Sequence, residues 1–171
     1  MKESERMAVF DKLCSGQIGE TVSTTPTENT EPVEKIKRPT PKESEDDITE
    51  PYCHLGYKPQ VSTITNPDGE IVEVAWGTKG SRRPDAINLD DPGHVKILEV
   101  KNYDITTAAG QSRLQNNIRK QTDKSIEHYG EDVEITEVMD LRGQPVTVGD
   151  MMDMCEKFEE KNPEVNWDYR M

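Results

Sequence analysis

A chain of 171 residues with 32% hydrophobic content and a mean hydropathy of −0.87 can bury one modest core with a good deal left over, so one domain plus a tail is expected. No apolar run approaches the roughly 20 residues needed to cross a bilayer, and residues 1–19 lack the apolar core of a secretion signal, which excludes a membrane span; the chain is expected to be soluble, with any export depending on another mechanism or a larger parent polypeptide. The net charge of −13 opposes nucleic-acid binding by the chain as a whole, but residues 76–130 carry 9 basic and 7 acidic side chains whereas residues 131–171 carry 4 and 12, so only the middle is positive.

Residues 1–16 place Met7, Phe10, Leu13 and Cys14 at helical spacing with Gly16 as a stop, which predicts a short amphipathic helix. Residues 20–50 are Thr, Glu, Pro, Lys and Ser with almost no large apolar group; burial cannot offset their ordering entropy, and Pro26, Pro32, Pro39 and Pro41 reinforce the reading of a disordered linker. The folded domain, 51–171, is expected to start near Pro51. Strands at 61–64 and 71–76 flank Asn66-Pro67-Asp68-Gly69, a strong turn signal, and a second hairpin joins 83–89 to 94–101 through Asp90-Asp91-Pro92-Gly93. A helix over 107–129 follows, with Leu114, Ile118, Thr122 and Ile126 every four residues, Gly130 as its stop and Gly110 weakening its first turn. A strand at 133–141 ends in Arg142-Gly143-Gln144-Pro145. The last helix, 147–161, is expected to bury Val148, Met151, Met152, Cys155 and Phe158.

The second hairpin carries the chemistry. Alternation puts Glu99 and Lys101 on one face of their strand and Leu98 and Val100 on the other, which predicts one face for chemistry and one for core, with Asp85 brought to Glu99 across the ladder. Two oxygen anions close together suit a hard divalent ion such as Mg²⁺, which polarises a phosphodiester and lowers the pKa of bound water, and an adjacent lysine orients that water or neutralises developing charge. The plain alternative is Asp85 at a turn and a solvated strand face. Around this core, Lys79, Arg82, Arg83, Arg113, Arg119, Lys120 and Lys124 are candidates for a phosphate track, or simply a solvated helix face. Glu73 is a candidate third acid or a plain solvent-facing strand Glu, and Gln121 a candidate contact to phosphate or to metal-bound water or a helix-surface amide; Tyr103 and His128 are near enough in the chain to approach the same cleft, with packing the expectation for both. Cys14, Cys53 and Cys155 are odd in number and widely spaced, giving neither a disulfide framework nor a zinc pattern, and Cys53-His54 reads as structural.

Those residues carry a resemblance. Over 72–148 the chain resembles the PD-(D/E)xK, or restriction-endonuclease-like, superfamily, with Pro84-Asp85 as its first element and Glu99-Val100-Lys101 as its second. More narrowly, Arg83-Pro84-Asp85, Glu99-Val100-Lys101-Asn102-Tyr103, the helix with Leu114, Asn117 and Gln121, and Asp140-Leu141-Arg142-Gly143-Gln144 resemble the nuclease domains at the C-termini of bacterial polymorphic and contact-dependent inhibition toxins. The resemblance implies an α/β fold with a mixed sheet, read here as β-β-β-β-α-β-α. It further implies Mg²⁺- or Mn²⁺-dependent endonuclease cleavage of DNA or RNA, with the ion on Asp85, Glu99 and the backbone carbonyl of Val100 and with Lys101 assisting catalysis. It implies, finally, export as part of a toxin that acts in the target-cell cytoplasm, and a cognate immunity protein. Many superfamily members carry a further Glu on a helix before the first core strand, and no such helix is expected here. The alternative from another class is a non-catalytic binding module that keeps the fold and engages a protein through its acidic C-terminal part.

Overall fold

The computed structural model describes residues 37–91 and 93–171; the helix expected at 1–16 and the linker over 20–36 lie outside these residues. Order begins well before Pro51. Helix α1 (Pro41–Cys53) opens with a capping box in which the Thr40 hydroxyl accepts the Glu43 N–H while Glu43 accepts the Thr40 N–H, and Pro41 occupies the first turn, where its missing N–H is no loss. The expectation of a disordered linker through residue 50 is therefore corrected from residue 41 on. Pro41 starts a helix here and does not break one. An average over the segment also hid one stripe, Ser44, Ile48 and Tyr52, at intervals of four.

That stripe is what docks. Ile48 and Tyr52 join Tyr57, Ala86, Leu98 and Val138 in an apolar cluster, Ser44 hydrogen bonds to Asp140, and the Tyr52 hydroxyl donates to Asp168 at 2.9 Å. Arg142 binds Asp140 and Asp47 together, at 2.6 and 2.7 Å. Pro51 has no N–H, so the Asp47 carbonyl four residues earlier lacks its helical donor; Nη1 of Arg170 supplies one at 3.1 Å.

The strands are β1 (Lys58–Pro59), β2 (Ser62–Thr65), β3 (Ile71–Val74), β4 (Ala86–Asn88), β5 (Lys96–Lys101), β6 (Glu134–Asp140) and β7 (Val165–Arg170), with α2 (Ala108–Tyr129) between β5 and β6 and α3 (Val148–Lys161) between β6 and β7. β1, β4, β5, β6 and β7 form one mixed sheet in that order; β4 is antiparallel to β1 and β5, while β5, β6 and β7 run parallel through their helical crossovers. β2 and β3 form a separate hairpin, its turn held by the Asn66 side chain accepting the N–H groups of Asp68 and Glu70. The chain is thus α/β with a mixed five-stranded sheet. α1, β1 and β7 are additions to the expected order. No helix among the described residues is long and apolar enough to cross a membrane.

Both faces of the sheet are covered. α1 lies on the Ala86/Leu98/Val138 face; α2 and α3 lie on the other, where Leu114, Ile118, Met151, Met154 and Phe158 meet Ile105, Met139 and Leu141. The expected division into a chemical face and a core face is therefore corrected: Glu99 and Lys101 sit inside a packed layer. α2 has the bounds expected, with Thr107 as cap and Gly130 as stop. Gly110 is not a weakness. A Cβ there would fall 1.6 Å from the Asp104 carbonyl oxygen, so only glycine allows the chain to pass that close. In α3 the buried residues are Met151, Met154 and Phe158, while Val148 and Met152 are exposed. Its apolar residues span more than one helical face, and the sheet takes the centre of that arc.

Candidate active site

The β4–β5 register sets the first contact. One step beyond the Ala86–Leu98 pair, Asp85 stands opposite Glu99, and its Oδ2 accepts the Val100 N–H at 2.7 Å. The carbonyl of Val100 faces the same strand edge as that N–H, so it too is directed to Asp85's side of β5. The parallel β5–β6 register then pairs Glu99 with Glu137. Lys101, two residues on and on the same face, holds Nζ 3.3 Å from Glu99 and 3.0 Å from Glu137. From the other side Nη2 of Arg82 reaches Glu99 at 3.1 Å and donates to the Gln121 carbonyl at 3.1 Å. A backbone bridge between Thr63 and Arg82, with N–H groups donated both ways at 2.9 Å, fixes where that arginine starts. Asp85, Glu99 and Lys101, expected together from sequence, are together.

What sequence reading missed is the depth of the site and its fourth member. Glu99, Lys101 and Glu137 are 4%, 3% and 0% exposed. Burial, with Asp85 adding to it, raises the Glu99 carboxyl against the pull of Lys101 and Arg82. The same burial pushes Glu137 up to about 7, Lys101 opposing and Glu99 and Asp85 reinforcing. Burial works against the Lys101 ammonium, yet Glu137, Glu99 and Asp85 together raise it. Glu137 Oε2 meets the Lys101 ammonium at 3.0 Å, whereas Oε1 of Glu137 and Oε1 of Gln121 have no hydrogen-bond donor. Buried acceptors in that state are costly unless something cationic or protic meets them. Glu137 had a signal in sequence: in a parallel neighbour of β5, the Glu of Ile135-Thr136-Glu137 falls on the same alternation as Glu99.

The third acid also lies elsewhere than expected. Glu73 turns to the surface and pairs with Lys58 at 2.7 Å, both side chains exposed, so its assignment to the site is corrected. The acid that faces Asp85 from α1 is Glu45. Partial burial first, and then Asp85, raise its carboxyl above the ordinary range. Gln60 donates its side-chain amide to Glu45 and its backbone N–H to the Asp85 carbonyl at 3.0 Å, and it does so from a left-handed backbone with φ of 56°. A non-glycine residue held there stores strain that the surrounding contacts must offset. The signal for Glu45 was the Thr40-x-x-Glu43 cap, which starts a helix at Pro41, four residues before it.

The donors fit a hard divalent ion in kind, since Asp85, Glu99, Glu45 and the Val100 carbonyl offer only oxygen. As the side chains stand, Arg82 and Lys101 neutralise Glu99, and among the described residues no group of three His, Cys, Asp or Glu side chains converges to hold an ion. Beside this network opens a cleft of about 740 Å³ lined by Lys79, Arg82, Arg83, Lys124 and His128, with Glu127 the lone acid. Comparison with protein families, curated proteins and solved structures returns no match.

Of the basic residues expected on a phosphate track, Arg82 is turned inward to Glu99, and Arg83 and Lys124 line the cleft. Lys79 joins them. At about 100° per residue, Arg113 and Lys120 fall within about 40° of Lys124 around α2, whereas Arg119 is about 140° away on the other flank. Gln121 is half-buried on the cleft side, its backbone carbonyl accepting Arg82. Tyr103 packs against the α2–α3 core, as expected. His128 lines the cleft instead, edge-on to Tyr129 at 4.6 Å, and burial holds its pKa below the usual value. Asp140-Leu141-Arg142-Gly143-Gln144 serves structure: Asp140 and Arg142 dock α1, and Gln144 accepts the Ile105 N–H and donates to the Tyr103 carbonyl. Cys53 ends α1, exposed and free.

Proposed function

We propose that this chain is a metal-dependent nuclease with a restriction-endonuclease-like core, cleaving phosphodiester bonds of DNA or RNA. The observation that carries the reading is the meeting of Asp85, Glu99 and Lys101 on adjacent strands, with Glu45 arriving from a preceding helix. Helix α1, lying in the chain before strands β1 to β5, supports the same core, because it is a helix ahead of the Asp85 strand from which Glu45 reaches Asp85's side.

Asp85, Glu99 and the Val100 carbonyl would hold Mg²⁺ or Mn²⁺, which when bound supplies Lewis acidity toward the phosphate and a more acidic water. Lys101, held by Glu99 and Glu137, presents its ammonium where charge develops on the phosphoryl oxygens. Glu45 and Gln60 orient Asp85's side of the site. Lys79, Arg83 and Lys124 receive the backbone phosphates along the cleft. The setting that goes with this reading is antagonism between bacteria, with the chain exported as part of a toxin, acting in the target-cell cytoplasm and blocked by an immunity protein.

Incubating the protein with plasmid DNA and with structured RNA, in Mg²⁺ or Mn²⁺ and then in EDTA, tests the reading. Cleavage of at least one substrate that EDTA and Asp85→Asn both abolish is expected; no cleavage of either in any metal refutes it. One observation favours a second reading. The Arg82–Glu99–Lys101–Glu137 network is already self-neutralised, and α3 exposes Val148 and Met152 beside Asp153, Glu156 and Glu159, as an acidic, partly apolar face suited to a basic protein partner. In that reading the fold is a binding module, and the digest is negative.

A further inference from the structure

Trp76 is the most exposed large apolar side chain among the described residues, at 80%. It stands in the segment between β3 and β4, where two successive turns, Thr78 N–H to the Ala75 carbonyl and Ser81 N–H to the Thr78 carbonyl, double the chain back. The Arg83 guanidinium lies 5.9 Å from the centre of its ring. Arg83 belongs to the cleft as well, so the aromatic platform and the basic groove share a residue. Leaving an indole in water forgoes the burial that usually places it in a core, and a cation over one face leaves the other open to a flat partner.

The depth of the neighbouring network narrows what that partner is. Glu99 and Lys101 are almost wholly buried, and the cleft meets their network at Arg82, which lines it and pairs with Glu99, so in the nuclease reading a narrow backbone is favoured there. A duplex keeps its bases stacked inside and presents nothing to Trp76; an unpaired strand offers both a narrow backbone for Lys79, Arg83 and Lys124 and an open base for the indole. Elsewhere the chain is acidic, with a net charge of −13, so a polyanion is drawn to this groove and repelled from the remainder.

We infer that Trp76 and Arg83 form a base-stacking platform at the mouth of the cleft, and that the ligand is an unpaired stretch of nucleic acid. The inference names the substrate form for the site in the nuclease reading and rests on it for the role of the cleft. The test is equilibrium binding in EDTA, by fluorescence anisotropy, of a labelled 12-nucleotide single strand, as DNA and as RNA, and of the matching duplexes. Trp76→Ala is expected to weaken single-strand binding roughly 5- to 100-fold in at least one of the two chemistries, with duplex binding unchanged and Trp76→Phe within about threefold of wild type. Equal single-strand affinity in wild type and Trp76→Ala overturns the inference, as does an equal loss on duplex. The two readings fail separately. Trp76-dependent binding without cleavage in any metal leaves the platform standing and removes the nuclease, whereas cleavage of single strands at wild-type rates by Trp76→Ala removes the platform and leaves the nuclease.

Discussion

Glu137→Gln isolates the buried network in a single measurement. The wild-type carboxyl has an ordinary value of 4.5, and burial, reinforced by Glu99 and Asp85 and opposed by Lys101, pushes it up to about 7 in the folded chain. The folded state therefore binds this proton more tightly than the unfolded one, so the associated stability is present below about 4.5 and lost as pH rises through about 7. A shift of roughly 2.5 units at about 1.36 kcal/mol each makes the loss about 3 kcal/mol. Gln has the shape of the protonated acid and nothing to titrate. At pH 4.5 the two proteins are expected to melt within about 2 °C of each other; at pH 8 the variant is expected to melt about 10 °C higher, at roughly 3 °C per kcal/mol for a domain of this size. Circular dichroism melts at pH 4.5, 6 and 8 and constant ionic strength read the difference, and groups that titrate identically in both proteins cancel. A variant that melts below wild type at pH 8 refutes the reasoning, because ionised Glu137 would then be a net stabilising partner of Lys101.

Glu99→Ala removes the acid that Arg82 and Lys101 share, and is expected to cost about 3–5 kcal/mol in urea unfolding, whereas Asp85→Asn, which keeps an acceptor for the Val100 N–H, is expected to lose cleavage with the melting temperature within a few degrees. Glu45→Gln is expected to lower metal-dependent cleavage about 10- to 100-fold, a loss that Glu73→Gln should not reproduce; equal effects in a rate assay would return Glu73 to the site. Gly110→Ala gains about 1 kcal/mol of helix propensity but meets the Asp104 carbonyl, and the clash is expected to win by about 2 kcal/mol in a chemical melt. Deleting residues 1–49 removes Ser44 and Ile48 from the sheet face and is expected to lower the melting temperature by 10 °C or more; an unchanged melt would mean that α1 does not dock.

What the sequence disclosed was local. The hairpin turn at Asn66–Gly69, the antiparallel pairing of β4 with β5, the Thr107 and Gly130 ends of α2 and the Asp85, Glu99, Lys101 trio are each written within a few residues of where they act, and each is in place. What stayed hidden is set by partners far away in the chain. Glu45 joins Asp85 across 40 positions, and α1 is held by Asp140, Arg142, Asp168 and Arg170, so its composition alone gives no reason to fold. The same holds for Glu137, whose role follows from a parallel register that no turn specifies. Glu73 misled because a strand Glu near the motif is close in sequence, while the twist of the separate β2–β3 hairpin takes it to Lys58.

The hydrogen bond from Arg170 to the Asp47 carbonyl spans 123 positions. A ribosome adding about 5–20 residues per second needs about 6–25 s to deliver the second partner after the first. Arg142, Asp168 and Arg170 emerge one after another within that interval, and until each does, α1 lacks it as a support and Glu45 has no fixed place beside Asp85. Synthesis thus sets a clock on assembly, and for the nuclease proposed above it is a period in which the producing cell holds a growing chain whose site is unfinished, long enough for an inhibitor already present to be waiting when the last strand closes.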